Sequence, residues 1–348
     1  MPPSVTTRAL PAESTPSVRA LGTGAVVLLL VVVLAAATAA SLAVGTRSIS
    51  PGEVARVLLH PDGSEASAVV RGLRVPRTLL ALLVGGALGV AGGLLQSLTR
   101  NPLADPGFLG VNAGAALAVA LGVTAGLTSL DAYVWLALLG AGVATTAVHV
   151  LGSRGRSGGG PVTLALTGAA VAAACTGLTT ALVLRSSQSV DSLRLWQTGS
   201  VAGRDGSVTL TVLPFVLLGA ALAAGVQRGL SRLALGEDVA RSLGVHVRRT
   251  RAVTLLAATL LAGAATAAAG PIVFVGLVAP HVARRLAGLH SGALLPLSAV
   301  VGAGLLVVAD VLGRVVARPG EVQVSIVTAL VGAPFFVALV RRPRLASL

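Results

Sequence analysis

The chain has 348 residues, of which 54% are hydrophobic and only 11% charged, against about 25% charged in an ordinary soluble domain, so a water-soluble globule is excluded. Aromatic residues make up 2% and glycines number 43; the apolar mass is Ala, Val and Leu interleaved with small residues, the blend that lets helices pack closely in lipid. The net charge of +14 is carried by arginine without a single lysine, which excludes a Walker A phosphate loop and a Schiff-base lysine on this chain. The lone Cys175 lies inside an apolar run and leaves no disulfide framework or cysteine metal site. The arginines are scattered between apolar runs rather than gathered on one face, which argues for membrane topology and against nucleic-acid binding.

Residues 1–20, rich in Pro, Ser, Thr and Ala, read as a disordered cytoplasmic tail. The apolar run 21–44 is too long for the 7 to 15 residues of a secretory signal core and reads as a first transmembrane helix. Ser50-Pro51-Gly52-Glu53 has capping-box spacing with Pro at the first helical position, predicting a short surface helix to about His60, stopped by Pro61-Asp62-Gly63. Arg71, Arg74 and Arg77 then crowd the entrance of a second run, 78–98, where headgroup anchoring and docking of an acidic partner both fit. After it, Asn101-Pro102-Leu103-Ala104-Asp105-Pro106 forces a rigid turned backbone at the inner face.

Further runs at 108–128, 133–151, 162–184, 208–227, 252–269, 293–312 and 322–340 each approach the roughly 20 residues that a span requires. In the loop 228–251, the acidic Glu237-Asp238 after Gly236, and Gly244 after Leu243, predict a short helix satisfied by its macrodipole and C-cap. Leu233, Leu235, Val239 and Leu243 give it an apolar face that suits either the membrane surface or a cytoplasmic partner.

The stretch 271–280 follows Gly270-Pro271, and either one kinked helix or two spans cover 252–280. The positive-inside rule decides. Ten spans with the N-terminus inside place 16 of the 26 arginines on the cytoplasmic side, whereas nine spans split them 13 and 13. The expectation is an all-α polytopic membrane protein of about ten transmembrane helices, with a membrane domain over 21–344 and both termini cytoplasmic. No loop can fold a soluble domain, so any large soluble part is another chain.

Catalytic patterns are nearly missing. His60, His149, His246, His281 and His290 are too dispersed to ligate a metal, and the G-x-S-x-G match at 155–159 lies in a polar loop rather than on a strand-to-helix elbow. Asp310 stands four residues before Arg314, the spacing of a helical ion pair. With almost no ionisable group at the span centres, the chain lacks the sites of an ion-driven pump, and the energy for transport must come from another chain.

Several separated stretches carry a family likeness. Arg74-Val75-Pro76-Arg77-Thr78-Leu79-Leu80-Ala81, Asn101-Pro102-Leu103-Ala104-Asp105-Pro106-Gly107-Phe108-Leu109-Gly110-Val111, Leu233-Ala234-Leu235-Gly236-Glu237, Gly276-Leu277-Val278-Ala279-Pro280-His281, Ala309-Asp310 and Gly332-Ala333-Pro334-Phe335 strongly resemble permeases of the iron-chelate and cobalamin ABC importer family, the type II importers. The likeness spans the chain after residue 21; it departs at Gln323 and Ser325, where the family commonly has Pro and Gly.

The resemblance implies a permease that pairs with an identical or different second permease chain in a bacterial cell membrane. Two cytoplasmic ATPase subunits drive it, an extracytoplasmic substrate-binding protein feeds it, and it has no cofactor or bound metal of its own. It implies docking of the binding protein at Arg74, Arg77 and Arg314 and coupling to the ATPase through Leu235, Gly236, Glu237, Asp238, Arg241 and Leu243. The two fixed prolines add a cytoplasmic gate at Asn101, Pro102 and Leu103. The run from Asn101 to Gly114 is most like ferric-siderophore permeases. Cobalamin or haem is the alternative cargo, and an ion-coupled secondary transporter the alternative class.

Overall fold

The computed structural model describes residues 23–45, 48–127, 129–153, 161–184, 196–287 and 291–341. The tail 1–20, the G-x-S-x-G stretch, Arg154, Arg156, His290, Arg342 and Arg344 lie outside the described residues.

Among the described residues the chain forms helices and no strand. Helix α1 covers Thr23–Ala43 and the surface helix α2 Pro51–Leu59. Helix α3 runs over Glu65–Thr99, α4 over Val111–Thr124, α5 over Leu130–Ser153 and α6 over Pro161–Val183. Then come α7, Gly206–Leu233, the short α8, Glu237–Ser242, and α9, Val247–Ala269. Finally α10 covers Val275–Ala287, α11 Leu294–Val316 and α12 Val324–Val340. Seven of these helices are long and apolar enough to cross a membrane, and α4 and α12 are shorter apolar helices. With α10 they account for the ten segments read from the sequence.

The surface helix forms as its capping residues require: Ser50 Oγ accepts from the Glu53 amide at 3.3 Å, with Pro51 at the first position. The second span differs from the expectation, because the helix begins at Glu65 rather than near residue 78. Its first turns, Ala68–Arg74, are wound as a π-helix in which the Val75 amide donates to Val70 O. Pro76 has no amide to give, and the wider turn carries the helix through it. Arg71, Arg74 and Arg77 therefore stand on a helix rather than in a loop leading to one.

The ambiguous 252–280 stretch is broken. Helix α9 stops at Ala269, Gly270 takes φ 75°, and the chain becomes helical again only at Val275. At 13 residues α10 is too short to cross alone.

Helix α3 runs through the centre of the bundle, packed on α9, α10 and α11. Its small residues allow backbone to meet backbone. A Cβ added to Gly85 would lie 2.4 Å from Gly302 O, and one added to Gly92 only 1.8 Å from Gly276 O. In lipid, where apolar side chains gain nothing by leaving a solvent as apolar as themselves, this close approach is what holds helices together. Toward the outside, α1, α6 and α12 leave Leu28, Leu29, Leu166, Leu178, Leu330 and Val331 exposed.

Candidate functional site

At one end of the bundle a single carboxylate gathers three helices. Arg77 on α3 donates from Nε to both oxygens of Asp310 at 3.1 Å and from Nη2 to Oδ1 at 2.7 Å. Its Nη1 reaches Glu321, just before α12, at 2.7 Å. Arg314, one turn beyond Asp310 on α11, donates to Oδ2 of the same carboxylate. It also donates to Ser41 Oγ at 2.7 Å and to the carbonyls of Ser41 and Val44 at the end of α1, at 2.9 and 3.2 Å. Arg74 joins from the π-turn by donating to Leu42 O at 2.7 Å.

Asp310 and Arg314 are each 2% exposed and Arg74 6%. The structure thus brings together the three arginines expected to dock a partner, with Arg74 and Arg314 turned inward and Arg77 partly exposed beside Glu321. The physical reason is desolvation: a buried carboxylate or guanidinium is tolerated only when paired and hydrogen-bonded. The helical Asp310–Arg314 pair is present as its spacing indicates. What the sequence did not reveal is Arg77 on the same carboxylate, 233 positions away; the available signal was a lone acid at the end of an apolar run. Arg71, by contrast, remains exposed at the rim, its Nη1 3.5 Å from Leu58 O.

At the opposite end of α3 the chain folds back into the bundle. Arg100 takes φ 51°, Asn101 Oδ1 accepts from the Leu103 amide at 2.9 Å, and Asp105 Oδ1 accepts from the Gly107 amide at 2.8 Å to cap a 3-10 turn over Pro106–Leu109. A Cβ on Gly276 would meet Pro106 Cδ at 2.9 Å and Asp105 Oδ2 at 3.1 Å. Gly276 itself lies against Gly92, so this turn reaches about two helical turns back along α3. The irregular stretch 100–110 thereby meets the first turn of α10, just after the break at 270–274, inside the protein, where non-helical backbone is tolerated at membrane depth.

The sequence reading missed the polar residues that secure this junction. Pro280 has no amide for Gly276 O, four residues earlier. Gln96 Nε2 supplies one instead, donating to the carbonyls of Gly276 and Leu277 at 3.3 Å each. Its Oε1 accepts from Arg284 at 2.6 Å. Thr266 donates to Asn112 Oδ1 at 2.8 Å, tying α9 to α4. A proline inside the apolar stretch was the signal that some side chain had to complete that helix. Asn101 is exposed at the rim of the junction, with Pro102 and Leu103 half-buried.

The short α8 projects from the same end. Gly236 holds φ 114°, ψ 151°, a conformation open only to glycine. Glu237 pairs with Arg241 at 3.0 Å and with Arg251, and Asp238 with Arg241 at 3.2 Å. Ala240 is buried, while Leu235, Val239 and Leu243 are 65%, 47% and 48% exposed. Leu233, expected on this apolar face, is instead buried in the bundle, because α7 continues to it. Its carbonyl accepts from Arg100, which links α8 to the turn at Asn101.

The profile of the FecCD transport family matches residues 28–342. The chain is 45% identical over 306 residues to the ferric enterobactin transport system permease protein FepD of Escherichia coli (strain K12), covering 88% of this chain and 91% of that protein. It is 41% identical over 304 residues to the Fe(3+)-citrate import system permease protein YfmD of Bacillus subtilis (strain 168), covering 87% and 90%. A solved structure of an inward-facing metal-chelate type ABC transporter superposes with a TM-score of 0.80 at 29% identity, over 90% of this chain and 98% of that one.

The Asp310 cluster makes a direct prediction. Asp310→Asn leaves the buried Arg314 guanidinium without its anion and Arg77 with Glu321 alone, and should cost about 3–5 kcal/mol, read as a lowered melting temperature of the purified protein in detergent. Glu321→Gln, at the half-exposed edge, should cost under about 1 kcal/mol. Equal effects from the two would mean that Asp310 is not the hub.

Proposed function

The chain belongs to the FecCD transport family, and from that membership we propose that it is the membrane permease of an ATP-driven importer of ferric siderophores. The carrying observation is the match to ferric enterobactin and Fe(3+)-citrate permeases over nearly the whole length. The chemistry of the chain agrees with that division of labour: without lysine it has no Walker A loop, so hydrolysis belongs to separate ATPase subunits.

In this reading the protein is a multi-pass protein of the bacterial cell membrane with both termini cytoplasmic. The arginine bias supports that orientation, and Arg284 and Arg285 in the last turn of α10 fall on the cytoplasmic side. The end bearing Asn101 and α8 faces the cytoplasm and the Asp310 cluster faces outward. The exposed Leu235, Val239 and Leu243 form the surface on which an ATPase subunit seats. Arg100, holding Leu233 O, passes movement of that surface to the turn at Asn101, Pro102 and Leu103, which acts as the inner gate beside a second permease chain. At the outer end the binding protein docks on the rim that Arg71, Arg77 and Glu321 present, while Arg74 and Arg314 serve as its frame.

Three measurements test this reading. Deleting the gene should abolish uptake of radiolabelled ferric siderophores, and complementation should restore it; retained siderophore uptake with loss of cobalamin or haem uptake would reassign the cargo. Leu235→Asp with Leu243→Asp should remove co-purifying ATPase subunits, and Gly236→Pro, which cannot take positive φ, should abolish uptake while the protein still inserts. Normal uptake in Gly236→Pro would dismiss α8 as the coupling element. Cysteine at position 101 or 103 should crosslink to the second permease chain and change its yield when nucleotide is added; no crosslink at either would leave the turn a plain hairpin.

A further inference from the structure

Between α5, α7 and α9 runs an open groove of about 630 Å³ whose walls include Trp135, Leu139, Val143, Phe215 and Leu256. Its hydroxyls are already committed: Thr145 donates to Ala141 O, Thr146 to Gly142 O and Thr259 to Leu255 O. Apart from His149 at one end, the wall therefore behaves as an apolar surface without groups to anchor water. Trp135 and Phe215, edge to face with ring centroids 5.9 Å apart, mark one end, and His149 with Ala252 the other. From position 149 to position 135 is about 21 Å of helix, more than the roughly 15 Å of hydrocarbon in one leaflet.

One turn beyond Ala252, on the face of α9 that lines the groove, stand Arg248 and Arg249. Both are exposed, and neither has a hydrogen bond or ion pair within the described residues. Arg251 falls off that face and is paired with Glu237. The positive-inside rule accounts for arginines in this loop. It does not account for why the two that continue the groove are left free while the one beside them is neutralised. Both also sit in the first turn of α9, where the helix dipole disfavours a cation unless an anion is present.

We propose that the groove seats an acyl chain of an anionic phospholipid from the inner leaflet, with its phosphate held by Arg248 and Arg249. The assignment rests on the orientation proposed above but not on the identity of the cargo. A phosphate there receives two guanidiniums, and its chain fills a wall that none of the described residues covers.

The test uses the transporter assembled with its ATPase subunits in nanodiscs containing phosphatidylglycerol and phosphatidylcholine, one of them at a time carrying a photoactivatable acyl chain. Adducts are mapped by mass spectrometry. At about five-fold per arginine, phosphatidylglycerol should label the peptides around Leu139–Thr146 and Leu255–Leu260 about 25-fold more than phosphatidylcholine. On the exposed face of α1, at Leu28 and Leu29, the two should label alike. Arg248→Gln with Arg249→Gln should bring the groove ratio near one. Gly142→Leu fills the groove at a position where an added Cβ meets nothing within 4 Å, and should remove the groove adducts while leaving both arginines. Equal labelling by the two lipids, a preference that survives the double arginine variant, or one seen only without the ATPase would overturn the proposal, the last by giving the arginines to that subunit. Uptake of iron is not measured, so failure here and failure of the cargo assignment are separate results.

Discussion

Asp310 is the carboxylate on which one end of the bundle depends. Two guanidiniums meet it, one from α3 and one from its own helix, and through Arg314 the end of α1 is hydrogen-bonded to the same point. Helix α1 has little other reason to stay. Most of its surface faces outward, and an apolar helix gains no hydrophobic free energy by leaving lipid for protein. Hydrogen bonds from Arg314 and Arg74 to the carbonyls at its end supply the specificity that apolar packing cannot. In a dry environment these bonds are strong because their alternative is an unpaired charge.

From that anchor the structure is stiff along α3. Gly85 lies against Gly302 and Gly92 against Gly276, with no side chain between the backbones to act as a cushion. At the opposite end of α3 Gln96 completes the hydrogen bonding that Pro280 leaves open in α10, and Arg100 holds the carbonyl that precedes α8. In the function proposed above, a displacement of α8 passes through the end of α7 at Leu233 and through Arg100 to the turn at Asn101. Close-packed interfaces respond to such pushes by switching arrangement rather than by yielding gradually, a property that suits a permease driven by subunits outside the membrane.

The use of arginine alone has physical consequences in this setting. The guanidinium keeps its charge when buried and fits carboxylates and backbone carbonyls through several donors at once, as at Arg77 and Arg314. Helix α9 shows the surface counterpart, with Arg251 fixed to Glu237 and Arg248 and Arg249 left open beside an apolar wall. The same residue type serves as structural clamp and as solvated charge, and the neighbouring carboxylates decide which.

Composition and apolar runs of about 20 residues were enough to read the all-helical membrane fold, because hydrocarbon thickness acts locally on the chain; the choice of ten segments, with a break at Gly270-Pro271, needed the arginine distribution as well. The cap at Ser50, the Asp310–Arg314 spacing and the short helix after Gly236 were equally legible, each being set by residues within one or two turns. What the sequence could not show was which distant residue completes each polar group: Arg77 at Asp310, Gln96 at Gly276 and Arg284, Asn112 at Thr266, Arg100 at Leu233. Nor could it show that Arg74 and Arg314 point inward or that Leu233 is buried. Those pairings depend on helices brought side by side by glycine contacts, and a group that must be satisfied in a low-dielectric interior takes the nearest partner in space, whatever its distance along the chain.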